Sequence, residues 1–571
     1  MKTVALIAVS KSRGQLGHPR SLDDRLGPCS VLEHTLRRVA SIRDVQEVVL
    51  VAEDASSLDA PEAINGKPVL RHDAPHLGDA ARARRRRVRR AWSTNAWRGG
   101  FRGATVWDEL DPLQPLADAA ESRGSDAALL LAADWCAVDP DLCAALIDRH
   151  AETPDAMPLC FSQAPPGLSG LVVASRLLRD LAQADRGFCE ILAYNPKRPA
   201  VDPISQEFNV AVPAAVRATA RRFIYDTPEA IARLRSLHDR LGDEAFVDAD
   251  AGSLTDHARQ IEVDAPQARF THLPPVLEIE LTPRRRACGP VTPQASIDPA
   301  RNDFALHHFD RLAEDLAGRA VTLGGIGEPL LHPRWPEAIA RCRQAGAAAV
   351  ALQTDLLTDG DQTPDQLAGH ILDADPDAVF VRLNAESAET YRQAMGVDRF
   401  AFVVEALQAV FAGRAERART QGLSHACPLI VPTLTKTYDT TPEMEHFFER
   451  WWQLADHAVI HRFPQGGRGG RALAADQNPV PMDPPWREPD PWQFKHRLTV
   501  LSDGLVCLCH EDWLGRGAIG SLDEDRLHEV WRSFPDFDLP DDWRHDDSPF
   551  CPRCFGFASL HAAPSRAAVS V

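Results

Sequence analysis

Residues 276–293 read VLEIELTPRRRACGPVTP, and this stretch sets the organisation of the chain. The first six residues, VLEIEL, have the aliphatic and β-branched content of a strand. They run straight into a loop with three arginines, Arg284, Arg285 and Arg286, and a single cysteine, Cys288. In parallel α/β sheets the carboxyl ends of strands deliver ligands and reacting groups. One thiol cannot hold a metal cluster alone, so Cys288 is the remnant of a site, part of a different site, or a packed thiol.

Five more apolar strands follow this one: AVTLGG, AAVALQT, AVFVRL, PLIVPTL and HAVIHRF. Helical segments alternate with them, among them DFALHHFDRLAEDL, RWPEAIARCRQA, RFAFVVEALQAVFA and EMEHFFERWWQLAD. Six β/α units are too few to close an eight-fold barrel, so an open partial barrel is expected over residues 270–470. Upstream, residues 1–265 also alternate strands (TVALIAV, EVVLVAED, AALLLAADW) with helices (SVLEHTLRRVASI, DPDLCAALIDRHAE). This pattern predicts a mostly parallel, doubly wound α/β domain. Asp134 stands at the carboxyl end of its AALLLAA strand, where such sheets bind ligands. After residue 462 the chain turns rich in Gly and Pro and reads as a linker. Residues 471–571 hold this linker and a Cys-bearing tail with little periodicity, which a bound metal would help to fold.

The 571 residues are too many for one core, and 44% hydrophobic with 25% charged is an ordinary globular composition. A net charge of −18 argues against broad nucleic-acid binding. No stretch approaches the roughly 18 apolar residues a membrane span needs. A cytoplasmic location is expected, where the 12 cysteines stay reduced and favour metal over disulfides. Cys143, Cys160 and Cys342 sit singly in apolar settings and read as core filler. The basic segment from Arg82 to Arg102 reads either as a helix and loop paired with acidic neighbours or as a contact for an anion or partner.

The strongest chemical signal is late. GLVCLCHEDW supplies Cys507 and Cys509 with His510 adjacent, and SPFCPRCFG supplies Cys551 and Cys554. A CxxC pair and a CxC pair together offer four thiolates, enough for an iron–sulfur cluster or Zn²⁺. On one strand, Cys507 and Cys509 would point the same way.

LTVLSDGLVCLCHEDW, GAIGSLDEDRLHEVW and CPRC together resemble the SPASM domain, the auxiliary-cluster module of many radical SAM enzymes. LEIELTP, VTLGGIGEPLLHP, LQTDLL and VRLNAESAETYRQAMG resemble the strands and loops of the radical SAM barrel. SVLEHTLRRV, ADWCAVDPDLCAALIDRH and RFIYDTPEAI resemble the nucleotidyltransferase-like fold of cytidylyltransferases. In this order the three parts resemble the spiro-SPASM family. The resemblance implies an N-terminal nucleotidyltransferase-like domain, a radical-SAM-like partial (β/α)6 barrel and a SPASM-like metal domain. It implies that Gly324, Gly325, Glu328 and Pro329 form the loop that contacts S-adenosylmethionine, with Asn384 a second contact. It implies one 4Fe-4S cluster on Cys507, Cys509, Cys551 and Cys554, with zinc the alternative. Radical generation needs a CxxxCxxC loop, and here Arg284, Arg285 and Arg286 stand where the first cysteine belongs, while Val291 and Thr292 fill the last position. The radical-generating cluster is therefore expected to be absent, with S-adenosylmethionine doubtful, and three arginines at the barrel mouth would attract an anion. SPASM-like domains often carry a cysteine before their first strand, where this chain has Pro491.

Three functions stay open at this point. One is an iron–sulfur SPASM protein modifying a peptide or small molecule. Another is a nucleotidyltransferase acting on a sugar or surface-polymer precursor, with Asp134 on Mg²⁺ and Lys11 and Arg13 on phosphates. The third is a non-catalytic binding or scaffold protein with decayed active sites.

Overall fold

The computed structural model describes residues 1–75, 80–195, 198–264, 272–290, 301–423, 426–462 and 496–533. The linker, Pro491, Val291, Thr292, Cys551 and Cys554 lie outside the described residues. The chain divides into two compact units, Met1–Arg269 and Phe270–Val571. Both are α/β.

The first unit is built on the strand Thr3–Val9, every residue of which is buried. It pairs in parallel with Val45–Ala52 on one side and Ala127–Ala132 on the other. A strand enclosed on both faces reads as a continuous apolar run, as TVALIAV and AALLLA do. The chain steps outward from Thr3–Val9 to Val45–Ala52 and Lys67–Asp73, then returns to Ala127–Ala132 on the opposite side. That reversal creates a crevice at the carboxyl ends of Thr3–Val9 and Ala127–Ala132. The sheet is mostly parallel, as expected, and the strand Leu171–Ala174 departs from that by pairing antiparallel with both Ala127–Ala132 and Leu159–Ser162. The helix Val31–Ser41 opens on a capping box between Ser30 and Glu33. Pro140–Glu152 opens on Asp139, as its sequence predicts. Cys143 and Cys160 are packed in this core, and burial pushes their thiols up to about 12.

In the second unit six strands follow one another in sheet order: Val276–Glu280, Ala320–Gly324, Ala349–Thr354, Ala378–Arg382, Leu429–Thr435 and Val459–His461. All five pairings among them are parallel. Stepping in one direction with right-handed crossovers puts the connecting helices on one face, the arrangement of a partial barrel. The expected helix over 303–316 begins only at His308, because Asp303 is engaged by Thr282 and Arg284. Three strands from the late segment extend the same sheet. Arg497–Val500 pairs in parallel with Val276–Glu280, followed by antiparallel Leu505–Cys507 and Ala518–Ser521. No helix among the described residues is long and apolar enough to cross a membrane.

Candidate functional site

The carboxyl ends of the parallel strands in the second unit converge on a buried charge array. Thr354 ends its strand, and Asp355 follows at once; both are fully buried. Arg382 ends the next strand. Its guanidinium donates to Asp355 Oδ1 at 2.8 Å, to the Gly325 carbonyl at 2.6 Å and to the Gly327 carbonyl at 2.9 Å. Arg285 reaches in from the opening loop and grips the same carboxylate twice, at 2.6 Å to Oδ2 and 2.8 Å to Oδ1. Such forked pairs are the strong form of charge-assisted hydrogen bond. Burial alone would raise the Asp355 carboxyl, but Arg285 and Arg382 outweigh it and hold it below its ordinary value.

Glu328 lies beneath this array and is also fully buried. Its Oε1 accepts from the Thr354 hydroxyl at 2.7 Å and the Leu330 N–H at 3.1 Å, and its Oε2 accepts from the Asp355 N–H at 2.5 Å. Burial, and then the charge of Asp355, push Glu328 up to about 7 despite these donors. Its loop is packed against the opening strand. A Cβ on Gly327 would fall 1.6 Å from the Thr282 carbonyl oxygen, so only glycine fits. Gly325 has φ +89° and faces the Glu280 side chain.

Asn384 is occupied by its own fold: Oδ1 accepts from the Thr435 N–H at 2.7 Å, and Nδ2 lies 3.1 Å from Met395 Sδ. Among the described residues of this unit, the buried Tyr391 hydroxyl and Glu280 Oε1 are two of the side-chain atoms that have no hydrogen-bond partner. The other Glu280 oxygen takes Arg301 and the Ser502 N–H.

The three loop arginines do not form a free cationic mouth. Arg284 pairs with Asp303 at 2.9 Å, Arg285 with Asp355, and Arg286 with Asp359. Cys288 is exposed, and its thiol lies 3.4 Å from the Gly396 carbonyl. Asp355 and Arg382 went unremarked in the sequence. The available signal was a lone charge at the end of an otherwise apolar strand, in LQTD and AVFVR.

Of the late cysteines, Cys507 ends its strand and is buried, with burial raising its thiol well above the ordinary value. Cys509 lies past the strand end, half-buried, and its sulfur accepts from the Glu511 N–H at 3.4 Å. The expected shared strand is therefore not formed. Cys551 and Cys554 are outside the described residues.

In the first unit Asp134 sits at the switch-point crevice, fully buried, with Arg20 across from it. Arg20 donates to Asp134 Oδ2 through Nε at 3.1 Å and through Nη2 at 3.0 Å. Asp134 Oδ1 has no partner. Burial raises its carboxyl; Arg20 opposes the shift and nearby Asp226 adds to it. Lys11 donates to the carbonyl and hydroxyl of Ser57, and Arg13 to the Gly17 carbonyl at 2.9 Å. In the DTPE segment, Asp226 is paired with Arg222 at 2.5 Å, while Thr227 caps the helix Pro228–Leu241. Arginines of the basic segment turn to acids of their own unit: Arg85 to Asp111 and Asp185, Arg90 to Glu109, and Arg98 to Asp202.

No family model matches the sequence. A Treponema pallidum (strain Nichols) protein described only as uncharacterized is 23% identical over 246 residues, 42% of this chain and 64% of the relative. The chain thus spans less than two thirds of that relative's length. Among solved structures, a cytidylyltransferase from Leptospira borgpetersenii is 16% identical with TM-score 0.32, covering 47% of this chain and 96% of its own. Streptococcus suis SuiB bound to precursor peptide SuiA is 12% identical with TM-score 0.35, covering 53% of this chain and 76% of its own. The protein anSMEcpe with bound AdoMet is 11% identical with TM-score 0.34, covering 51% of this chain and 89% of its own. Likenesses at these TM-scores carry no argument about activity.

Proposed function

We propose that the second unit is a radical-SAM-type barrel that does not generate radicals, and that the chain is a binding protein with one soft-metal centre on its late cysteines. The observation behind this reading is the Arg285–Asp355–Arg382 array at the carboxyl ends of the parallel strands. A radical-generating cluster takes three thiolates from one loop, and between Val276 and Arg341 the chain has Cys288 alone. That donor set does not fit the cluster, and no radical step is assigned to it. The glutamate and asparagine positions of the resembled family, Glu328 and Asn384, already direct their polar atoms into the protein. A peptide or small molecule is the proposed ligand class, as the family resemblance implies. The proposed centre is a 4Fe-4S cluster on Cys507, Cys509, Cys551 and Cys554, since thiolates suit iron–sulfur chemistry, with zinc the alternative metal.

A nucleotidyltransferase reading of the first unit would need Asp134 on Mg²⁺. Arg20 holds one of its oxygens, so an incoming cation would meet a buried guanidinium. That arrangement does not fit the ion, and no transfer step is assigned.

The test uses anaerobically purified full chain, reconstituted with iron and sulfide. About four of each per chain are expected, as one 4Fe-4S cluster holds, and they should be lost in Cys551→Ser/Cys554→Ser. With S-adenosylmethionine and dithionite, no 5′-deoxyadenosine should form. Release of 5′-deoxyadenosine overturns the non-radical reading, and absence of both iron and sulfide overturns the cluster.

A further inference from the structure

In the first unit, metal-type donors of Cys29, His34 and Asp243 meet, and His238 lies beside them. Cys29 lies in the short strand Cys29–Ser30, and His34 is on the helix Val31–Ser41 that follows. His238 is in the last turn of Pro228–Leu241, and Asp243 opens the helix Asp243–Asp248. Donor atoms of Cys29, His34 and Asp243 all lie within 4.8 Å of one another. His238 flanks the group at Asp243: its Nε2 is 3.7 Å from Asp243 Oδ1, and His34 Nε2 is 3.6 Å from that same oxygen. Nitrogen and oxygen ligands about 2.0–2.1 Å from a tetrahedral Zn²⁺ stand about 3.3–3.4 Å apart, so these edges are already close to the right length. They are too long for direct hydrogen bonds.

A second observation points the same way. Asp243 Oδ1 and His238 Nε2 are buried and have no hydrogen-bond partner, and each faces the other. Burying such groups unpaired is costly, and a shared cation would satisfy both. The surroundings hold the donors in place. Gly27 has φ +62°, and a Cβ there would fall 2.3 Å from the His238 ring, so glycine lets the imidazole seat against the backbone. Arg37 donates to Asp243 Oδ2 at 2.8 Å, leaving Oδ1 turned to the imidazoles, and lies 3.3 Å from the Cys29 sulfur.

We propose that Cys29, His34, His238 and Asp243 form a structural site for a borderline-soft divalent cation, Zn²⁺ above all. One thiolate, two imidazoles and one carboxylate make a donor set of that softness. Binding releases the Cys29 thiol proton to solvent. His34 Nε2 lies 2.8 Å from the Leu26 carbonyl oxygen; on binding, the proton it donates there moves to Nδ1 so that Nε2 coordinates. The ion ties the hairpin and helix near the start of the unit to the two helices near its end, about 200 residues apart in sequence.

The test is made in Cys551→Ser/Cys554→Ser full chain, which removes the late thiolate pair. Zinc is added to metal-stripped protein, and both bound zinc and the melting temperature are measured. One equivalent of zinc and a higher melting temperature are expected. Adding His238→Gln should weaken zinc binding at least tenfold and abolish the melting shift, and Asp243→Asn should act likewise. Where His238→Gln folds poorly, Cys29→Ser, at a half-buried position, gives the same readout. Zinc content and melting shift unchanged by all three substitutions, or no zinc bound by the parent, overturns the site.

Discussion

Asp134 and Asp355 hold matching stations in the two units. Each follows a buried parallel strand at its carboxyl end, and each is covered by arginine. The two differ in how many partners they have. Asp355 has both oxygens held by two guanidiniums, and its carboxyl is pulled below the ordinary value. Asp134 has one oxygen held by Arg20 and the other by nothing, and its carboxyl is raised. Burial is complete at both and raises both carboxyls; two guanidiniums reverse that shift at Asp355, whereas one guanidinium, opposed by the charge of Asp226, does not at Asp134. The barrel mouth is an electrostatically closed structure, whereas the crevice of the first unit keeps one unsatisfied acceptor.

The largest test of this contrast removes Arg382. Arg382→Ala leaves Asp355 with one cation and frees two loop carbonyls, and denaturant unfolding should show a loss of about 3–5 kcal/mol. Arg20→Ala should cost less, about 1.5–3 kcal/mol, because burial and the charge of Asp226 raise the Asp134 carboxyl, which lowers the cost of leaving it without its cation. Equal losses at the two sites would erase the distinction.

A smaller effect concerns pH. Glu328 has an ordinary value of 4.5 and a folded value of about 7, so the folded state binds its proton more tightly. Its contribution to stability is complete below pH 4.5 and is lost as pH rises toward 7. Asp355 acts in the opposite sense: its contribution is present above its ordinary 3.8 and fades as pH falls. Between pH 5 and 7, Glu328→Gln should therefore flatten the decline in unfolding free energy. The slope removed is below about 1.4 kcal/mol per pH unit, the limit for one proton. An unchanged slope would show that Glu328 is ionised throughout that range.

Much of the scaffold was legible in the sequence. TVALIAV, AALLLA and the first five strands of the second unit stand out as apolar runs because both their faces are enclosed. Asp139 announces a helix start through a short-range hydrogen bond from the Leu142 N–H, three residues on. The order of the strands was less legible. Leu171–Ala174 looks like any buried strand, and its antiparallel direction depends on the path of the chain around it. Cys507 and Cys509 read as strand neighbours, yet the strand stops at Cys507. The mouth arginines read as free cations because their acids are remote: Asp355 is 70 residues from Arg285.

The sequence by itself determined that this protein is α/β, that its second half winds as a series of β/α units, and that one cysteine stands where the resembled family has three. These follow from periodicity, composition and the count of one residue type, which are local properties of the chain. Only the tertiary structure decided that Arg20 meets Asp134, that Arg285 and Arg382 share Asp355, and that Cys29, His34 and His238 gather at Asp243. Each of those pairings joins residues that are far apart in the chain and close in the fold. The charge state of a buried group is set by such neighbours, and spacing along the chain does not encode them.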